Sequence, residues 1–199
     1  MNLQKLFDMQ RKLDEHIERE HPRKPDEDRL AKKILALMVE LGELVNEHRG
    51  FKYWSHDQKP RTGGECSCDD GYIDVYMGHG VVEQDICPRC EGIGELPNTL
   101  IEEYVDALHF ILSIGLDIAE PDIVNLRDVD GKENIIEQFI EVFDRVRDLY
   151  FFEYDIFEYE SLLAQFIKLG EMLGFTWEQI EEAYLQKNAE NHARQNRGY

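Results

Sequence analysis

The chain has 199 residues, of which 42% are hydrophobic and 32% charged, and a formal net charge of −20. That is long enough for one sizeable core and too apolar for a disordered polymer. The acidic balance argues against a nucleic-acid partner, because a phosphate backbone demands clustered Lys and Arg. A small anionic substrate stays compatible with it if divalent cations invert the field at the site. Apolar runs of only a few residues leave no membrane span, and the start, Met1 to Gln10, lacks a signal peptide's continuous apolar stretch. A cytoplasmic protein is expected.

Apolar residues recur at three- and four-residue intervals along most of the chain, the mark of amphipathic helices. Leu3, Leu6, Phe7, Gln10, Leu13 and Ile17 line one face of a first helix, which His21-Pro22 and Lys24-Pro25 end. A second helix spans about Asp28 to Arg49, with Ile34, Leu37, Met38, Leu41, Leu44 and Val45 inward and Gly50 as its C-terminal cap. Asn98 or Thr99 caps a third, carrying Ile101, Tyr104, Val105, Leu108, Ile111 and Leu112. Two more are built on Ile135, Ile136, Phe139, Phe143 and Val146, then on Leu162, Leu163, Phe166, Ile167 and Leu173. Thr176-Trp-Glu-Gln179 reads as a capping box opening the last helix, which runs toward Arg197.

The expected fold class is therefore all-α, a bundle of about six helices formed by residues 1–61 and 98–199. Residues 62–97 break the pattern. They are glycine-rich, hold all four cysteines and show strand-like alternation around Tyr72 to Val82. This segment reads as a small module inserted between the second and third helices.

Glu40 and Glu43 lie three apart on the second helix, so both carboxylates leave one face, and Glu103 and Asp106 repeat that spacing on the third. Such pairs are common on solvated faces. These are flanked by core positions, in Leu-Met-Val-Glu-Leu-Gly-Glu-Leu and Tyr-Val-Asp-Ala-Leu-His-Phe, where unpaired like charges are costly. Four carboxylates from two helices suit a hard cation such as magnesium, which takes oxygen ligands.

Glu-x-x-Glu on one helix and Glu-x-x-Asp on the next resemble the all-α nucleoside triphosphate pyrophosphohydrolases, a superfamily that includes the dimeric dUTPases and MazG-like enzymes. Removing the cysteine-rich segment restores the family's separation between the two motifs. Four further stretches resemble the dimeric dUTPases: Met9-Gln10 with Leu13-Asp14, Phe51-Lys52-Tyr53-Trp54, Asp106-Ala-Leu-His109-Phe110, and the tail from Tyr184 to Tyr199. The resemblance implies hydrolysis of dUTP, with dUDP as a further candidate substrate, to dUMP and pyrophosphate by a magnesium-activated water, with Glu43 as general base. It also implies a homodimer.

Lys187, Asn191 and Arg194 fall at i, i+4 and i+7, a face suited to triphosphate oxygens or, more plainly, a basic helix end favoured by the macrodipole. By resemblance these three bind the phosphates, with Asn188 a further candidate. Phe110 reads on periodicity as a core aromatic. By resemblance it stacks on uracil, His109 lines the base pocket, and Gln10 and Trp54 help close it.

Cys66-Ser-Cys68 and Cys87-Pro-Arg-Cys90 supply four thiols for tetrahedral zinc in a structural role, with two disulfides as the alternative that a reducing cytoplasm disfavours. Cys87-Pro-Arg-Cys90-Glu-Gly-Ile-Gly resembles the zinc repeat of J-domain chaperones, although Cys66-x-Cys68 is one residue tighter. Two rivals to the dUTPase reading stand: a related enzyme of other base preference (MazG-like or dCTPase-like), and a zinc-containing adaptor without activity.

Overall fold

Six short polar side chains start six helices. Asn2, Asp28, Asn98, Asn134, Asp155 and Thr176 each accept a backbone N–H from the first turn that follows, which satisfies donors the helix cannot pair internally. In this computed structural model, which describes residues 2–78, 80–121, 124–126 and 128–198, they open α1 (Leu3–Glu20), α2 (Arg29–His48), α3 (Thr99–Ile118), α4 (Ile135–Phe151), α5 (Ile156–Met172) and α6 (Trp177–Asn196). Tyr199, the last residue of the tail motif, lies outside the described residues, as does Met1. The capping box at Thr176 and Gln179 forms in both directions.

One cap differs from expectation. The left-handed residue that ends α2 is Arg49, at φ 65°, rather than Gly50. Arg49 is held by its Nε bond to the Asp57 carbonyl at 3.0 Å and an ion pair with the Asp57 carboxylate. Gly50 is needed for a different reason: a Cβ there would stand 2.6 Å from the His48 ring.

α2 packs along α3 and α4 along α5, while α1 and α6 pack on α3 and on each other. The core is Leu6, Phe7, Leu37, Leu41, Leu108, Val146, Leu162 and Phe166 with their neighbours. α3 is enclosed on most sides, burying Tyr104, Ala107, Leu108, Ile111, Leu112 and Gly115 among others. Tyr104 stacks on Phe166 at 4.4 Å. A polar group on the buried faces of α3 must therefore find a partner or a ligand.

Two small antiparallel sheets make up the segment between α2 and α3. β1 (Gly64–Glu65) pairs with β4 (Glu95–Leu96), bringing the two ends of the segment together. β2 (Tyr72–Gly78) and β3 (Val81–Ile86) form a hairpin whose register shifts between Tyr76 and Gly78. Among the described residues no helix is long and apolar enough to cross a membrane.

Candidate active site

The i, i+3 spacing on α2 and the packing of α2 along α3 bring carboxylates from both helices face to face. Oxygens of Glu40, Glu43 and Glu103 all lie within 4.8 Å of one another. Glu40 and Glu103 are partly buried and Glu43 is exposed. Burial, followed by repulsion from Asp106 and Glu43, pushes the Glu40 carboxyl up to about 7. Burial and the charges of Asp106, Glu43 and Glu40 do the same to Glu103. Carboxylates placed this way resist ionising unless a cation joins them.

Asp106 departs from the expected set of four. It stands outside the three-carboxylate group, and its Oδ2 accepts from Lys187 Nζ at 2.5 Å. Burial raises its carboxyl while Lys187 opposes that shift. The reason is tertiary: α6 packs against α3 and delivers Lys187 to the face where spacing alone put a fourth cation ligand.

Beside the carboxylates lies a cavity of about 710 Å³ walled by α1, α2, α3 and α6. Glu40, Asp106, Lys187, Asn191 and Arg194 line it, together with Gln10, Leu13, Asp14, His109, Phe110 and Ser113. Arg194 is paired with Glu190 at 2.8 Å. Hydrogen bonds link several of these wall residues. Tyr184 donates its hydroxyl to Gln10 Oε1, Gln10 Nε2 donates to Asp14 Oδ1, and Ser113 donates to Asp14 Oδ2, each at 2.7 Å. Lys33 sits 3.7 Å from Asp14 and 2.7 Å from Asp117. Burial raises the Asp14 carboxyl, and Lys33 counteracts it. His109 stacks on Tyr184 with ring centroids 4.0 Å apart. Its burial pushes the imidazole down to about 4, so the ring is neutral at neutral pH.

Two candidates fall elsewhere. Trp54 is 65% exposed, edge-on to Phe51 and Tyr53 on the loop after α2, and does not line the cavity. Asn188 is buried on the inner face of α6, with its Nδ2 unpaired, and does not line it either. Asp14, Lys33 and Ser113 are the cavity residues that spacing left without a role, and Tyr184 supports the lining residue Gln10 without lining the cavity itself. The available signal was a polar side chain on an otherwise apolar stripe, as with Asp14 at i+4 from Gln10 and Ser113 at i+4 from His109.

All four cysteine Sγ atoms also lie within 4.8 Å of one another, with Cys66 and Cys87 at 3.8 Å and Cys68 and Cys90 at 3.5 Å. These distances are far beyond the roughly 2.05 Å of a disulfide, and the four are free thiols. Burial works against the Cys90 thiolate, but N–H groups of Gly94 and Gly92 and the neighbouring thiols bring it down to about 7.

A family model described as dUTPase matches residues 2–76 and 95–199, leaving out an interval that holds most of the β2–β3 hairpin with Cys87 and Cys90. No individual curated protein matches the chain at a significant level. With both arms of the bundle matched in order, the carboxylates of α2 and α3 among them, the chain belongs to the dUTPase family, a family of nucleoside triphosphate pyrophosphohydrolases.

Proposed function

We propose that the chain hydrolyses dUTP to dUMP and pyrophosphate at the carboxylate cluster, with Mg²⁺ as its cation. The observation that carries this reading is the convergence of Glu40, Glu43 and Glu103 beside a cavity large enough for a nucleotide. The donor set fits: these are oxygen ligands, and burial with mutual repulsion, which together hold Glu40 and Glu103 near 7, is what a hard dication offsets. When bound, the ion would neutralise phosphate charge and acidify the attacking water. Glu43, the most exposed of the three, takes that water's proton. Lys187, Asn191 and Arg194 hold phosphate oxygens through charge-assisted donors. Lys187 moves from Asp106 to the phosphates as they enter, which frees Asp106 as the fourth oxygen ligand. Phe110 stacks on the base, and Gln10 and His109 read its edge.

The thiols fit Zn²⁺. A tetrahedron with Zn–S of about 2.3 Å has edges of about 3.8 Å, and the paired sulfurs stand 3.8 and 3.5 Å apart. All four positions are protein sulfurs, so a structural role for the 62–97 module follows. Reduced thiols accord with a cytoplasmic setting. A second copy of the chain is the proposed partner. Leu35 and Val39, one turn apart and 64% and 52% exposed, put apolar surface on the helix that carries Glu40 and Glu43. Sedimentation of the purified protein as a monomer at micromolar concentration would exclude it.

A panel of deoxynucleoside and nucleoside triphosphates, with dUDP alongside, tests the activity by pyrophosphate or phosphate release with and without Mg²⁺. Strong preference for dUTP with Mg²⁺ is expected. Preference for dCTP would move the chain to another base specificity, and failure to turn over or bind any nucleotide would favour a non-enzymatic role.

A further inference from the structure

Glu47 lies in the last turn of α2 and Thr99 is the first residue of α3, and the Thr99 hydroxyl donates to the Glu47 carboxylate. Asn98 already caps α3 by accepting the Ile101 N–H at 3.2 Å, so the Thr99 hydroxyl is spare for a contact between helices. Both side chains are half-buried. Arg61 repeats the link through its backbone. Its N–H donates to the Glu47 carbonyl and its own carbonyl accepts from the Leu100 N–H, each at 3.1 Å. Asp57 holds the Arg61 guanidinium in turn, at 2.5 Å. Arg61 precedes β1 and Thr99 follows β4, so the link stands at the neck of the inserted segment.

α2 and α3 run antiparallel in this pairing. Glu47 meets Thr99, and Glu43 meets Glu103 one turn further in. Toward the other end, Lys33 donates to the Ser113 carbonyl at 3.3 Å and to Asp117 at 2.7 Å. Between these two attractive ends stand Glu40, Glu43 and Glu103, whose like charges push the helices apart. Leu37, Leu41 and Leu44 bury an apolar seam between them, but apolar contact is non-directional and fixes no register. A directional hydrogen bond one turn from the carboxylates does.

We propose that Thr99 and Glu47 are positioning residues for the cation site, their contact holding Glu43 and Glu103 at ligating distance against their mutual repulsion before the cation arrives. This rests on the reading of the carboxylate cluster as a divalent-cation site. Glu47 acts through Glu43, four residues earlier on the same face of α2, and Thr99 through Glu103, four residues later on α3. Neither lines the cavity. Residues behind a metal ligand govern its affinity, because ligands already in place need no reorganisation when the cation binds. Cation capture is therefore the step they control, rather than the chemistry.

The test is Mg²⁺ binding by the full chain, read as the Mg²⁺-induced rise in melting temperature at pH 8 without nucleotide, beside the Mg²⁺ dependence of dUTP turnover. Thr99→Val removes the hydroxyl at nearly constant volume. It should raise the Mg²⁺ concentration at half effect at least about tenfold in both readouts, with kcat at saturating Mg²⁺ within about threefold of wild type. Thr99→Ser restores a donor and should bring that midpoint back to within about threefold. A merely structural contact would lower the metal-free melting temperature and leave the midpoint where it was. An unchanged midpoint in Thr99→Val, or no recovery in Thr99→Ser, overturns the assignment while the cation site stands. No Mg²⁺ response in the wild type overturns both. The thermal readout uses no nucleotide, so it decides even if dUTP is not turned over. If Thr99→Val does not fold, Glu47→Ala, read the same way, decides.

Discussion

Lys187 on α6 donates to Asp106 on α3 at 2.5 Å, and both side chains are mostly shielded from solvent. The pair joins α6 to the carboxylate helix α3, and on the proposed function a triphosphate competes for its cation. Lys187→Met should keep the helical circular dichroism of the wild type and lower kcat/KM for dUTP by about 100-fold, from the loss of one charge-assisted contact to the phosphates. Steady-state kinetics decide it. A change below threefold would mean that Lys187 never leaves Asp106 for the substrate.

Glu43→Gln should leave a folded protein whose kcat is reduced by about 10²–10⁴, the usual worth of a general base. Asp106→Asn is expected to lose activity by orders of magnitude as well. Near-normal turnover in either variant, measured by pyrophosphate release, would refute the role given to it.

The pH dependence of stability has a definite sign. Glu40 and Glu103 are raised to about 7 from 4.5, so the fold favours their protonated forms. The stability they contribute is full below about 4.5 and is lost as pH rises through about 7. The metal-free protein should therefore show a falling melting temperature across that window. Added Mg²⁺ should raise it more at pH 8 than at pH 5.5, because only the ionised cluster binds the cation. Equal Mg²⁺ stabilisation at both values would argue against a carboxylate site.

If the four thiols hold zinc as proposed, a strong chelator should release one equivalent of metal and raise hydrogen exchange across residues 62–97, while the far-ultraviolet helical signal stays largely intact. The helical core contains none of the four cysteines, which supports that separation. Global unfolding on chelation would contradict an inserted module.

Gly115 tests the packing of α3 against α5. A Cβ there would fall 2.1 Å from the buried Tyr159 hydroxyl. Gly115→Ala, although it improves helix propensity, should destabilise the protein by about 1–3 kcal/mol through overpacking. Thermal or denaturant unfolding measures it, and a stabilised variant would show that Tyr159 can yield.

What the amino-acid order determined by itself was local. Asn98 and Thr176 sit where a capping side chain must, apolar spacing at three and four residues laid out six helices, and Glu40 with Glu43 had to share a face because a helix turns 3.6 residues at a time. The cysteine pairs and strand alternation marked the segment that folds as small sheets. Everything that depends on how one helix is rotated against another waited for the tertiary structure. Asp106 shares a helix with Glu103, yet only the docking of α6 turns it toward Lys187. Trp54 carries a family-like sequence around it and still does not line the cavity. His109 is visible in the sequence as a residue, but its proton position comes from the Val105 carbonyl and its fixed plane from Tyr184, 75 residues further along. Periodicity fixes directions within one helix; packing decides what each direction meets.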